Sequence, residues 1–111
     1  MFEAIWWQAM KMYIAIKDWV PTGHAVNVAA HAGLIGWLEF QAQEHTQEWL
    51  KTSFKKVTCM VTEQEFDQLK QVAYNKVITE SRLDNAEVGI VFAPRPKESW
   101  PEIMKTLRLW K

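Results

Sequence analysis

The hydrophobic positions divide the chain into segments whose period changes from two to about three and a half. Residues 12–17, MYIAIK, alternate and are rich in β-formers, which predicts a strand. Pro21 and Gly23 break it. Thr22 is suited to cap a following helix, because its hydroxyl can accept from a free N–H of the first turn. From Ala25 the chain is small and apolar. Val26, Ala29, Ala30, Gly33, Leu34, Trp37 and Leu38 recur at helical spacing. Residues 39–47 are polar, and Trp49 and Leu50 then supply a second apolar anchor. This predicts one long helix, or two short ones jointed near residues 41–46.

Residues 55–62, KKVTCMVT, read as a second strand. Thr62-Glu63-Gln64-Glu65 is a capping box opening the stretch EQEFDQLKQVAYNK, with Phe66, Leu69, Val72 and Ala73 on one face. Residues 77–81 predict a third strand. Residues 87–93 predict a fourth, apolar enough to be central. Pro94 and Pro96 stop it, and residues 98–111 read as a final short helix or turn between Trp100 and Trp110. Residues 1–11 form an N-terminal extension in which Phe2, Ile5, Trp6, Trp7 and Met10 follow a loose helical period. The adjacent Trp6 and Trp7 must pack on something, either this domain or a second copy.

This order predicts a single α/β domain over residues 1–111, a sandwich with a small, largely parallel sheet. The short connection between the third and fourth strands could be a hairpin, making the sheet mixed. At 111 residues and 49% hydrophobic content the chain can bury one core. No apolar run approaches a membrane span, and the start lacks a secretory pattern. The single cysteine, Cys59, excludes an internal disulfide and reads as a buried strand residue. A cytoplasmic setting follows as the expectation. Net charge is zero but uneven. Residues 1–50 hold two basic and five acidic groups, and residues 51–111 hold eleven and eight. That modest C-terminal surplus permits a nucleic-acid partner without requiring one.

Chemistry concentrates in residues 18–33, DWVPTGHAVNVAAHAG. His24, Asn27 and His31 fall near one stripe at the start of a helix that follows a strand, where α/β folds place sites. No metal-helix spacing, glycine-rich phosphate loop or Gly-x-Ser-x-Gly is present, so neither metal nor cofactor is expected.

Several strings, in order, resemble the type 2 peptidyl-tRNA hydrolase family and its relatives of unassigned function. They are a strand ending in Lys17-Asp18, a glycine turn into a helix ending AAHAG, EWLKTSF leading into KKV, a TEQEF helix start, VGIVFAP and a closing LRLW. The resemblance spans residues 12–110. It implies a three-layer α/β/α sandwich around a four-stranded mixed sheet, and an esterase-type hydrolysis of peptidyl-tRNA. It departs from the family at Val20, where a lysine is expected. Thr22-Gly23-His24 replaces a Lys-Gly-Lys turn, and Val28 falls near the place of a glutamine. His31 matches the family's helix histidine. Residues 80–84, Glu-Ser-Arg-Leu-Asp, stand for an Asp-Ala-Gly segment, and a Pro-Gly loop is missing. Asn27-Val28 matches a related bacterial domain of unknown function.

As a hydrolase, the chain would use His24 or His31 as base, with Glu80 or Asp84 orienting it or acting as base. N–H groups at the helix start around Thr22 and Gly23 would hold an anion, Asn27 would line the same stripe, and Lys17 and Arg82 would meet tRNA phosphates. The replaced lysines and seven tryptophans equally fit a catalytically silent binding module, for which Trp6 and Trp7 suggest a homodimer contact.

Overall fold

A computed structural model describes residues 10–111. Over these residues the fold is mixed α/β, with five strands and three helices. β1 (Lys11–Lys17) leads into α1 (Thr22–Phe40) and α2 (Glu44–Lys51). Then come β2 (Lys55–Val61), α3 (Glu63–Leu69), β3 (Asn75–Glu80), β4 (Ala86–Phe92) and β5 (Arg108–Leu109). The sheet order is β3-β4-β1-β2-β5. β1 and β2 are parallel, while β4 is antiparallel to both β1 and β3. The hairpin reading is therefore the observed one. Over the described residues the sheet has five strands rather than four: the stretch read as a final short helix or turn forms short 3-10 turns that give way to β5, which pairs with Cys59 and Met60 of β2. β4 is an interior strand, and β1 is the central one.

Period-two alternation sorts β1 between two cores. Met12, Ile14 and Ile16 join Ala25, Val28 and Ala32 of α1 in one cluster. Ala15 joins Phe66 and Leu69 of α3, with Val61, Ile90 and Phe92, in the other. A register shift at Ile78/Thr79 leaves Val88 unpaired, so Val88 packs in the same cluster as Ile78.

α1 is one 19-residue helix, with the joint at residues 41–43. Its N-cap is Pro21, and Thr22 makes no capping bond; the Pro21 carbonyl accepts from Ala25 N–H instead. The capping box forms as expected. Glu65 N–H donates to Thr62 Oγ1 at 3.1 Å, and Thr62 N–H donates to Glu65 Oε1 at 2.8 Å. α3 ends sooner than its sequence suggests, because Asn75 Nδ2 draws the carbonyls of Lys70 and Val72 into a turn. Tyr74, at φ 61°, completes that turn. Cys59 is buried, and burial pushes its thiol up to about 11. Among the described residues no helix is long and apolar enough to cross a membrane. Trp6 and Trp7 lie outside the described residues.

Candidate functional site

The sequence nominated two segments, residues 22–31 and 80–84. The topology brings their near ends to one end of the sheet. β1 and β3 run parallel, separated by β4, so their carboxyl ends lie about 10 Å apart, two inter-strand steps. α1 starts from the end of β1 and runs back along the sheet, with Gly36 reaching Met12.

Glu80 ends β3 opposite Ala86, two residues beyond Ile78, and so shares the α1 face. It is 7% exposed, and its carboxylate has no hydrogen bond or ion pair with another described residue. Its carbonyl accepts from Asn85 N–H at 2.9 Å, closing the turn that carries Arg82 and Asp84. Asp84 and Asn85 adopt left-handed φ of 56° and 58°, a conformation that Asp and Asn tolerate well. Arg82 and Asp84 are exposed.

On the helix side, Thr22 and Gly23 are exposed and His24 is half-buried. Asn27 is exposed, and so is His31, which stands about 10 Å further along the helix than His24 at 1.5 Å per residue. The sheet end therefore gathers the first turn of α1 with residues 80–84. His31 stands apart from that group.

Lys17 does not join them. It alternates with Tyr13 and Ala15, so it points to the α3 face. It is 7% exposed, its Nζ lies 3.0 Å from Glu63 Oε2, and it sits 4.3 Å above the Phe66 ring. Trp19 Nε1 donates to the other oxygen of Glu63 at 2.8 Å. The expected phosphate contact is thus a neutralised lysine across the sheet from Glu80. The parity of MYIAIK carried this information, since Lys17 falls out of phase with Ile14 and Ile16.

The Glu63 carboxyl is held below the usual carboxylate range, first by the Trp19 bond, then by Lys17. With the folded value depressed, its contribution is present above the ordinary carboxylate pKa and lost as pH falls through the lower folded value. Glu63→Gln is therefore expected to lower the melting temperature slightly at neutral pH and to converge on wild type in acid, so that the acid limb of a melting-temperature profile against pH is flatter. A steep acid limb retained in the variant would remove Glu63 from that role.

Among the described residues no group of three His, Cys, Asp or Glu side chains could hold a metal ion. What the sequence did not single out is the outer surface of α1. Val26 is 64% exposed, Leu34 61% and Leu38 56%, at spacings of eight and four that keep them on one side. Beside them run two grooves. One, of about 320 Å³, lies between Ala29 and Trp110. The other, of about 300 Å³, includes Gly33, Trp37, Leu50 and Phe54. Lys56 is the single charged group lining them, and its Nζ lies 3.2 Å from the Phe54 ring centroid. The signal was available: residues 22–38 contain no acidic or basic side chain apart from histidine. No family model and no curated protein matches this chain.

Proposed function

We propose that the chain is a divergent relative of the type 2 peptidyl-tRNA hydrolases, with a three-layer α/β/α arrangement, that works as an interaction module through the outer face of α1. The two core clusters on opposite sheet faces support the layering. The observation that carries the functional reading is the placement of charge. A tRNA ligand is held chiefly by cations against its phosphates. Of the two basic residues nominated for that role, Lys17 is buried and neutralised on the opposite face. That leaves Arg82, while α1 offers an uncharged apolar strip. An exposed strip of this kind marks an association surface.

The occupant that fits is a second copy of this chain. Two such helices can face each other with Lys56, at the rim of the patch, as the one nearby charge, and the small exposed Ala30 lets them approach closely. Leu50 and Phe54 extend the patch toward the area that a stable dimer buries, about 800 Å² per partner. Sedimentation velocity across micromolar protein concentrations tests this. The wild type is expected to shift from monomer to dimer, and Leu34→Glu is expected to stay monomeric at every concentration while keeping its melting temperature. A wild type that sediments as a monomer throughout would overturn the reading.

Glu80 favours a second reading. Glu80, mostly buried at the end of β3 and with no described partner for its carboxylate, shares the sheet end with half-buried His24 and would serve as the base that activates water on a small ester. Turnover of peptidyl-tRNA or a simple ester that collapses in both Glu80→Gln and His24→Ala would establish it. No turnover from folded wild type would dismiss it.

A further inference from the structure

On the opposite face of the sheet, at the end where β1 begins, Lys11, Lys97 and Lys105 line one hollow of about 150 Å³ together with Tyr13, Trp100 and Met104. No carboxylate lines it. Lys11 and Lys97 form no ion pair with a described residue. Lys105 meets Glu102 at 3.0 Å with both side chains largely in water, where such a pair contributes little.

The wall behind these ammonium groups is fixed. Trp100 is buried, and its ring stands edge-on to Tyr13, with centroids 4.8 Å apart, and to Phe92 at 6.1 Å. Arg95 does not line the hollow but buttresses two residues that do. Its backbone bridges to Lys11, and its guanidinium lies 5.1 Å from the Trp100 ring. Ser99 holds that guanidinium in place, accepting from Nε at its hydroxyl (3.1 Å) and from Nη2 at its carbonyl (2.6 Å). Burial, and secondarily Cys59, raises the Tyr13 hydroxyl above its ordinary value, so it stays a neutral donor at physiological pH.

Lys11 and Lys97 thus bring charge to this concavity with no described acidic partner, and the exposed Lys105–Glu102 pair holds Lys105 only weakly. Lysines act there as point charges suited to phosphate. The volume is below the roughly 300–1,000 Å³ of pockets for larger ligands, so the anion must be compact.

We propose that this hollow binds a phosphate group, presented either as free phosphate or as a small phosphomonoester. The site lies across the sheet from the α1 strip and stands independently of the association reading.

The test uses the full chain, with amide chemical shifts followed by NMR at fixed ionic strength. Inorganic phosphate and phenyl phosphate are titrated in separate arms. Saturable shifts are expected at Lys11, Tyr13 and Trp100, and the tighter of the two arms identifies which source fits. Lys97→Gln and Lys105→Gln, both exposed positions, should each weaken binding about tenfold, the scale of one charge-assisted contact. Lys76→Gln, on β3, should leave it unchanged. Shifts that stay linear in both arms would overturn the proposal, as would equal weakening by Lys76→Gln. A short RNA that engages these lysines when neither phosphate compound does would also overturn it, and would assign the patch to nucleic acid.

Discussion

A Phe66→Ala variant is expected to lose about 3–5 kcal/mol of stability, the range for removing a fully buried aromatic ring. Phe66 is fully buried, and it packs with Ala15, Val61, Leu69, Ile90 and Phe92 between α3 and the sheet. Its ring also supports two cations, Lys17 Nζ at 4.3 Å and Lys70 Nζ at 5.1 Å from its centroid. Truncation therefore leaves a cavity directly below the half-enclosed Lys17–Glu63 pair. Phe66→Leu, which conserves most of the volume, should cost less than about 1.5 kcal/mol. Urea unfolding of the three proteins side by side provides the check. An alanine variant within about 1 kcal/mol of wild type would mean that α3 contributes little to the core, since buried large-to-small changes exceed that.

The second large effect is expected at Gly89. A Cβ built there meets Ala15 O at 2.9 Å, Val28 Cγ1 at 3.4 Å and Ile16 Cγ1 at 3.6 Å. The first of these is backbone of the central strand and cannot rotate away. Gly89 also pairs with Ile16 on one side and Ile78 on the other, so β4 cannot shift without breaking two ladders. Gly89→Ala should destabilise by about 1–3 kcal/mol, or roughly 4–8 °C in melting temperature for each kcal/mol in a domain of this size. Gly36→Ala is the control. Its Cβ also comes too close, 2.7 Å from Met12 Cε, but that atom is the flexible end of a thioether side chain. Val91 Cγ2, at 3.0 Å, still makes the change unfavourable, though less so than at Gly89. Equal melting temperatures for the two variants would contradict this account.

Much of the fold was legible where local chemistry and global packing agree. MYIAIK, KKVTCMV and EVGIVFA are strands for the same reason in sequence and in space: each fills an interior ladder. Thr62 and Glu65 announce their helix start because both halves of that interaction lie within four residues. The misreadings have a common origin in partners distant along the chain. Residues 70–74 continue a helical pattern, yet Asn75 diverts the carbonyls that would propagate it. β5 is two residues long and exists because Trp110 N–H reaches Thr58 O at 2.9 Å across the edge of β2. Nothing in the residues of β5 themselves encodes that pairing. At the candidate site, proximity of residues 22–24 to residues 80–84 follows from strand order. The separation of Lys17 from that group follows from counting alternate positions, a simpler argument than the resemblance that nominated it.

The place of β4 between β3 and β1 has a consequence for synthesis. β4 is made after both of its neighbours. While residues 86–92 remain inside the ribosome, β1 and β3 have no strand between them, and the α1-side core lacks Val88 and Val91. A nascent chain of this protein therefore passes through a stage with open strand edges and incomplete hydrophobic clusters, the condition under which chains misassociate. The pairing of Ile14, Ala15 and Ile16 with Val91, Ile90 and Gly89 is a long-range event that forms slowly compared with a local helix. Association during synthesis, before residues 86–92 emerge, is thus a route to lost yield separate from the stability of the finished fold.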